Sequence, residues 1–261
     1  MPELLTFFLL LLPLSSLFFF SKTSHGNALA SNCPSNKCGA VKIDYPFWLS
    51  SDATAYQYCG YPGFNLTCSY EEETIFNLPG ESFYVKNISY SDYTLTLVDV
   101  EVSSQTCPRA RQNVTIQTLP LSYNSTLDLN LSFYYNCSGL GTTGVLPIPC
   151  LSSGGNESYV FVVGTEPVGS DFDNWYNFCE DKVVVAVMDS EIDESTNGLI
   201  WGFEEAVKDG FVLDWRRAAA RCGACEASGG RCGYNCVDED YLCFCSGGST
   251  RINDTCKGGI R

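Results

Sequence analysis

The chain has 261 residues, room for one or two domains, with 15 cysteines, one histidine and a net charge of −15. That charge excludes nucleic acid, whose phosphates need a basic surface. The lone histidine, His25, sits in or beside a leader built on an N-terminal apolar run, and this excludes most histidine-based nucleophilic and general-base chemistry.

That run, Leu4 to Phe20, is broken only by Thr6, Pro13, Ser15 and Ser16. It is too short and interrupted for a membrane span and suits the core of a signal peptide. Glu3 stands where such leaders usually carry a positive charge. Ala28-Leu29-Ala30 and Ser24-His25-Gly26 offer cleavage sites, and residues 1–30 are taken as the leader. Cysteines behind a leader read as disulfides of an oxidising compartment, whereas zinc needs reduced thiolates and usually histidines. Spacing leaves their connectivity open. Sequons at Asn65, Asn87, Asn113, Asn124, Asn130, Asn136, Asn156 and Asn253 predict a glycosylated surface.

From Cys38 to Cys68 the chain reads as two short cysteine-bounded loops, too loop-rich to hold together by burial alone. Tyr45, Phe47 and Trp48 add large apolar faces, with Phe47 and Phe64 expected inside. Runs from Ser82 to Tyr90 and from Tyr93 to Val102 predict a hairpin turning at Tyr90–Tyr93, with a bulge where the alternation slips between Leu97 and Val98. Cys107-Pro108 ends this unit. Leu127, Leu129, Leu131, Phe133 and Tyr135 predict a strand with one apolar face and Asn130 and Asn136 pointing outward. Tyr159–Val163 and Lys182–Met188 read as buried strands. Trp201–Val207 reads as a short helix stopped by Gly210. Phe211, Leu213 and Trp215 then alternate before a dense cysteine segment. The expectation is a mainly β protein of two small disulfide-rich β domains, 31–107 and 108–261, the second ending in a cysteine-dense EGF-like segment.

Cys38-Gly39, Tyr45-Pro46-Phe47-Trp48, Cys59-Gly60 with Pro62, Phe64, Leu66 and Cys68, and then Cys107-Pro108, closely resemble the galacturonan-binding module of plant wall-associated receptor kinases. Gly210-Phe211, Leu213, Trp215, Cys222, Cys225, Ser228-Gly229-Gly230, Cys232-Gly233, Cys243 and Cys245 are similar to the C-terminal domain of the same ectodomains. Both in this order resemble the leaf-rust-resistance-type branch. The resemblance pairs Cys33, Cys38, Cys59, Cys68, Cys107, Cys137, Cys150, Cys179, Cys222, Cys225, Cys232, Cys243, Cys245 and Cys256 in disulfides and leaves Cys236 outside the pattern, free or intermolecular.

The function implied is binding of a pectin- or galacturonan-type cell-wall polysaccharide, without catalysis, by a secreted or truncated receptor-kinase ectodomain lacking the membrane helix and kinase. After the leader no apolar run approaches the ~20 residues of a membrane helix. Tyr45, Trp48, Tyr56, Tyr58 and Tyr61 are candidate stacking rings. Lys37, Lys42, Lys86, Arg109 and Arg111 are the local supply of cations for uronate carboxylates. Residues 31–110 nevertheless carry four basic and nine acidic side chains, so long-range attraction for a polyanion is absent. Two other readings stand beside this one. The chain could pair with full-length receptor kinases, or with itself through Cys236. Glycoside hydrolysis could conscript Glu204-Glu205 or Asp189, Glu191, Asp193 and Glu194, although charge runs are usually solvated faces. The acidic middle also offers loose calcium ligands, but the EF-hand pattern fails at its sixth and twelfth positions. No other cofactor is expected.

Overall fold

A computed structural model describes residues 33–53, 57–114, 116, 119–138, 145–167, 175–192, 196–252 and 255–257. The expected leader, Tyr56 and Asn253 lie outside them. The first strands are β1 (Asn36–Cys38), β2 (Val41–Ile43), β3 (Trp48–Leu49), β4 (Gln57–Cys59), β5 (Asn65–Cys68), β6 (Thr74–Leu78), β7 (Glu81–Ser89) and β8 (Thr94–Asp99). Then come helix α1 (Val100–Ser103), β9 (Ser122–Tyr123), β10 (Asp128–Cys137), β11 (Glu157–Val162) and β12 (Asp181–Met188). Helix α2 (Thr196–Asp209), β13 (Phe211–Asp214), α3 (Gly223–Ala227), β14 (Arg231–Asn235), β15 (Asp240–Phe244) and β16 (Thr250–Ile252) complete the described order. The protein is mainly β, as its alternation predicts.

Seven strands form the largest sheet, in the order β3-β5-β6-β7-β8-β13-β9. Its middle is the predicted hairpin, β7 against β8. The bulge lies on the partner strand, between Val85 and Asn87, and not at Leu97–Val98. Leu97 and Val98 are both fully buried, because β13 pairs with β8 and α2 packs nearby, while Thr94, Thr96 and Asp99 of the same strand are half-buried. The valine alternation does not extend the strand past Asp99. The Asp99 carboxylate caps the Glu101 amide at 2.7 Å, and residues 100–103 wind into α1.

One core lines this sheet, with Phe64, Leu66, Phe76, Phe83, Leu95, Leu97 and Leu213 all fully buried. Burying each such side chain is worth about 1.5–3 kcal/mol. The segment from Cys38 to Cys68 is therefore held by an apolar interior, which includes Phe47 and Phe64, as well as by its crosslinks.

The second sheet, β11-β10-β12, is antiparallel with β10 in the centre. Leu131, Phe133 and Tyr135 face a core shared with Val183, Val185, Val187 and the α2 residues Phe203, Ala206 and Val207. Helix α2 is longer than the predicted turn or two, and ends at Gly210, whose φ of +85° a side chain would strain. The outer face of β10 is also covered, by Tyr134, Tyr159, Phe161 and the Cys137–Cys179 pair. Leu127, expected inside, is exposed, since β10 begins after it. Asn136 reaches solvent through a bulge, at φ +55°, and not by simple strand parity.

Seven disulfides are present: Cys33–Cys59, Cys38–Cys68, Cys107–Cys150, Cys137–Cys179, Cys222–Cys232, Cys225–Cys243 and Cys245–Cys256. Cys236 is free and exposed. No disulfide links the cysteines before residue 107 to those after it. The expected 107/108 boundary is crossed by the Cys107–Cys150 bridge and, through hydrogen bonds, by two of the sheets. Strand β13 joins β8, pairing Phe211 with Leu97. Strand β4 joins β14 as the edge of the sheet β16-β15-β14-β4.

Candidate functional site

The seam between β4 and β14 places aromatic residues from distant parts of the chain in one row. Tyr58 lies directly opposite Tyr234 on β14, and Tyr234 directly opposite Tyr241 on β15. Residues opposite one another share a face, so the three rings line one side of three adjacent strands. Their centroids are 6.1 Å apart from Tyr58 to Tyr234 and 5.4 Å from Tyr234 to Tyr241. Trp48 extends the row, stacked on Tyr58 at 3.8 Å with 16° between the planes. The indole is fixed by its Nε1–H, which donates to the Tyr61 carbonyl at 3.2 Å. All four rings are half-buried, so each keeps surface open to solvent.

The other face of this sheet is internal. Leu242, Phe244 and the Cys33–Cys59 bridge pack there. Gly233, between Cys232 and Tyr234, is needed for the close pairing. A Cβ on it would come within 2.2 Å of the Tyr58 carbonyl and 2.4 Å of the Phe244 ring.

Tyr45 and Tyr61, also candidates from sequence, serve the joint. Both hydroxyls donate to Glu226 Oε1 on α3, that of Tyr61 at 2.6 Å. The Tyr45 oxygen also accepts the Cys232 amide at 3.0 Å. Burial, reinforced by the Glu226 carboxylate, pushes ionisation of both phenols well above its usual range, so they remain donors. Tyr61 is only 5% exposed. Phe47 and Phe64 are core, as predicted.

The basic candidates are not gathered beside the rings. Lys42 pairs with Asp44, and Lys86 lies 5.8 Å from the centre of the Tyr84 ring. Arg109 sits over Tyr135 and pairs with Asp181 at 3.4 Å, while Arg111 pairs with Glu101 at 3.1 Å. Both arginines line a cleft of about 680 Å³ with Gln112, Glu81, Asp99 and Glu101. Burial raises the Glu81 and Asp99 carboxyls, and the negative charges around them raise them further. This is a mixed-charge cleft with committed cations, poorly suited to clamping a carboxylate. Around the rings, Asp52 lines the hollow holding Trp48 and Tyr58, and Arg221 lies 5.6 Å from the centre of Tyr241. Burial and the neighbouring Glu239 charge raise the Tyr234 phenol, leaving it neutral.

Asp193 and Glu194 lie outside the described residues. Among the described ones, each group of three potential metal ligands relies on disulfide-bonded cysteines. Nor is any described helix long and apolar enough to cross a membrane.

Comparison with known proteins places the two halves of this row in two family models. Residues 33–99 match wall-associated receptor kinase galacturonan-binding, and residues 149–248 match wall-associated receptor kinase C-terminal. Trp48 and Tyr58 come from the first, Tyr234 and Tyr241 from the second. The chain is 32% identical over 231 residues to leaf rust 10 disease-resistance locus receptor-like protein kinase-like 1.2 of Arabidopsis thaliana, covering 87% of this chain and 34% of that one. It is 30% identical over 221 residues to kinase-like 2.1 of the same plant, covering 81% and 33%. A putative RING-H2 finger protein, ATL21A, is 35% identical over 88 residues, 33% of this chain and 23% of its own. The chain thus spans about a third of the length of the two receptor-kinase relatives. No solved structure matches. With both modules matched in order and the relatives aligned across them, the chain carries the ectodomain modules of the wall-associated and leaf-rust-resistance-type receptor-like kinases.

Proposed function

We propose that the chain binds a pectin- or galacturonan-type cell-wall polysaccharide without chemical turnover, and that the row Trp48, Tyr58, Tyr234 and Tyr241 is where sugar rings stack. The match of residues 33–99 to a galacturonan-binding model supports the ligand class. The observation that carries the site is the row itself: three half-exposed rings in register on a sheet whose opposite face is packed, with Trp48 of β3 stacked on the end one. Aromatic faces cover the apolar faces of pyranoses, and a rigid sheet holds them at low entropic cost.

The reading includes secretion after removal of residues 1–30, an extracellular location and a glycosylated surface. In support, none of the described sequon asparagines is buried. Titration of pectic oligosaccharides into the purified chain tests the site. Tyr58→Ala and Tyr234→Ala should each weaken binding about tenfold, the ~1.4 kcal/mol of one lost aromatic contact, with circular dichroism unchanged. Wild-type affinity in both variants would refute it.

A second reading is favoured by one observation. Cys236 is free, and with Val237 it lies in the exposed β14–β15 turn, held by Asn235 accepting the Val237 amide at 2.9 Å. That tip would serve pairing with a second copy or a receptor kinase.

A further inference from the structure

We infer that the aromatic row takes an uncharged stretch of polysaccharide, of neutral pyranoses or uronates whose carboxyls are esterified, and discriminates against the free uronate. The inference rests on the glycan reading above and specifies its ligand.

The charges beside the rings carry it. The β14–β15 turn, which lies between Tyr234 and Tyr241, bears Asp238 and Glu239. At the other end of the row, Asp52 lines the hollow with Trp48 and Tyr58. Against these stand Arg221, over the Tyr241 ring, and Arg251 on β16, opposite Cys243. Arg231 is committed, donating to the Cys33 carbonyl at 3.2 Å and lying over Tyr45. Lys42, Arg109 and Arg111 are held by Asp44, Asp181 and Glu101. The local balance is acidic on a chain of net charge −15, so a polyuronate meets repulsion at long range and at contact.

Stacking itself does not need the carboxylate. It needs the apolar ring face, which esterification leaves intact while removing the charge. Each added like charge at contact distance in water costs severalfold in affinity, so a run of free uronates across the row should bind at least about tenfold more weakly than the same run esterified.

The test is calorimetric titration of the full, oxidised chain with galacturonan oligomers of equal length, fully methyl-esterified or fully de-esterified, at low and high salt. The expected result is tighter binding of the esterified oligomer, little affected by salt. Binding of the free acid should improve as salt screens the repulsion. Tyr234→Ala should weaken both, and Glu239→Gln should narrow the preference. Equal or tighter binding of the free acid, falling with salt, would overturn this inference and leave glycan recognition standing. Failure of both oligomers and of neutral wall glycans to bind would overturn the glycan reading itself.

Discussion

Replacing Glu226 by alanine removes the one acceptor shared by Tyr45 and Tyr61, and with it the polar centre of the joint between the chain's two ends. A hydrogen bond to a charged group contributes about 1.5–3 kcal/mol, and a donor left unmet in a buried site costs a similar amount. Two such bonds at a half-buried carboxylate, discounted for exposure, put the loss for Glu226→Ala at about 3 kcal/mol. Glu226→Gln keeps an acceptor oxygen without the charge and should lose less than half of that. Tyr61→Phe removes only a donor, at about 1 kcal/mol. Tyr45→Phe should cost more, because the Cys232 amide loses its acceptor as well. Urea denaturation of the oxidised proteins, with unchanged slopes, measures each value. The cycle pairing Glu226→Ala with Tyr61→Phe should show a coupling of about 1 kcal/mol or more. If Glu226→Ala stays within about 0.5 kcal/mol of wild type, the variation normal for surface substitutions, the carboxylate does not hold the joint and the reasoning fails.

Two further predictions rest on single groups. The Asp128 carboxylate accepts the Val212 amide at 3.0 Å, and burial lifts its pKa from 3.8 to about 7. The folded state then holds this proton more tightly than the unfolded chain, so the associated stability is complete below pH 4 and is lost as pH rises to 7. A shift of about three units would be ~4 kcal/mol unscreened, and partial exposure reduces it to about 1–2 kcal/mol. Asp128→Asn should remove that decline from a plot of unfolding free energy against pH, and a flat difference between the two plots would count against it. For Cys236, a disulfide-linked species on non-reducing gels should disappear in Cys236→Ser, while a wild-type chain that stays monomeric under oxidising conditions would remove the pairing reading.

The sequence discloses the faces of strands more readily than their partners. Alternation in β7, β8 and β10 was legible because one face of each is apolar, and a period of two is local information. That Phe211 would lie against Leu97, or Tyr234 against Tyr58, was not legible. Such pairings are chosen by whichever buried edge remains open after the rest has packed. Tyr234 and Tyr241 were missed because their segment was read for its cysteines. The alternation was there, with Tyr234 in phase with Cys232 and Tyr241 with Cys243, so each tyrosine shares a strand face with a bridged cysteine. Charges show the opposite failure. Arg109 and Arg111 were visible as cations, but their commitment to Asp181 and Glu101 is a tertiary fact.

The seam makes binding and folding one problem. Disulfides tie down each end of the chain separately, and only hydrogen bonds and packing hold β4 to β14. A ligand that lies across Tyr58 and Tyr234 touches both sides, so it binds the docked arrangement alone and must stabilise it by mass action. The same linkage runs in reverse: whatever loosens Glu226 from Tyr45 and Tyr61 lowers the fraction of molecules presenting an unbroken row, and weakens affinity without touching a sugar. A site split between two modules is in this way sensitive to how those modules are held, which neither module alone could be.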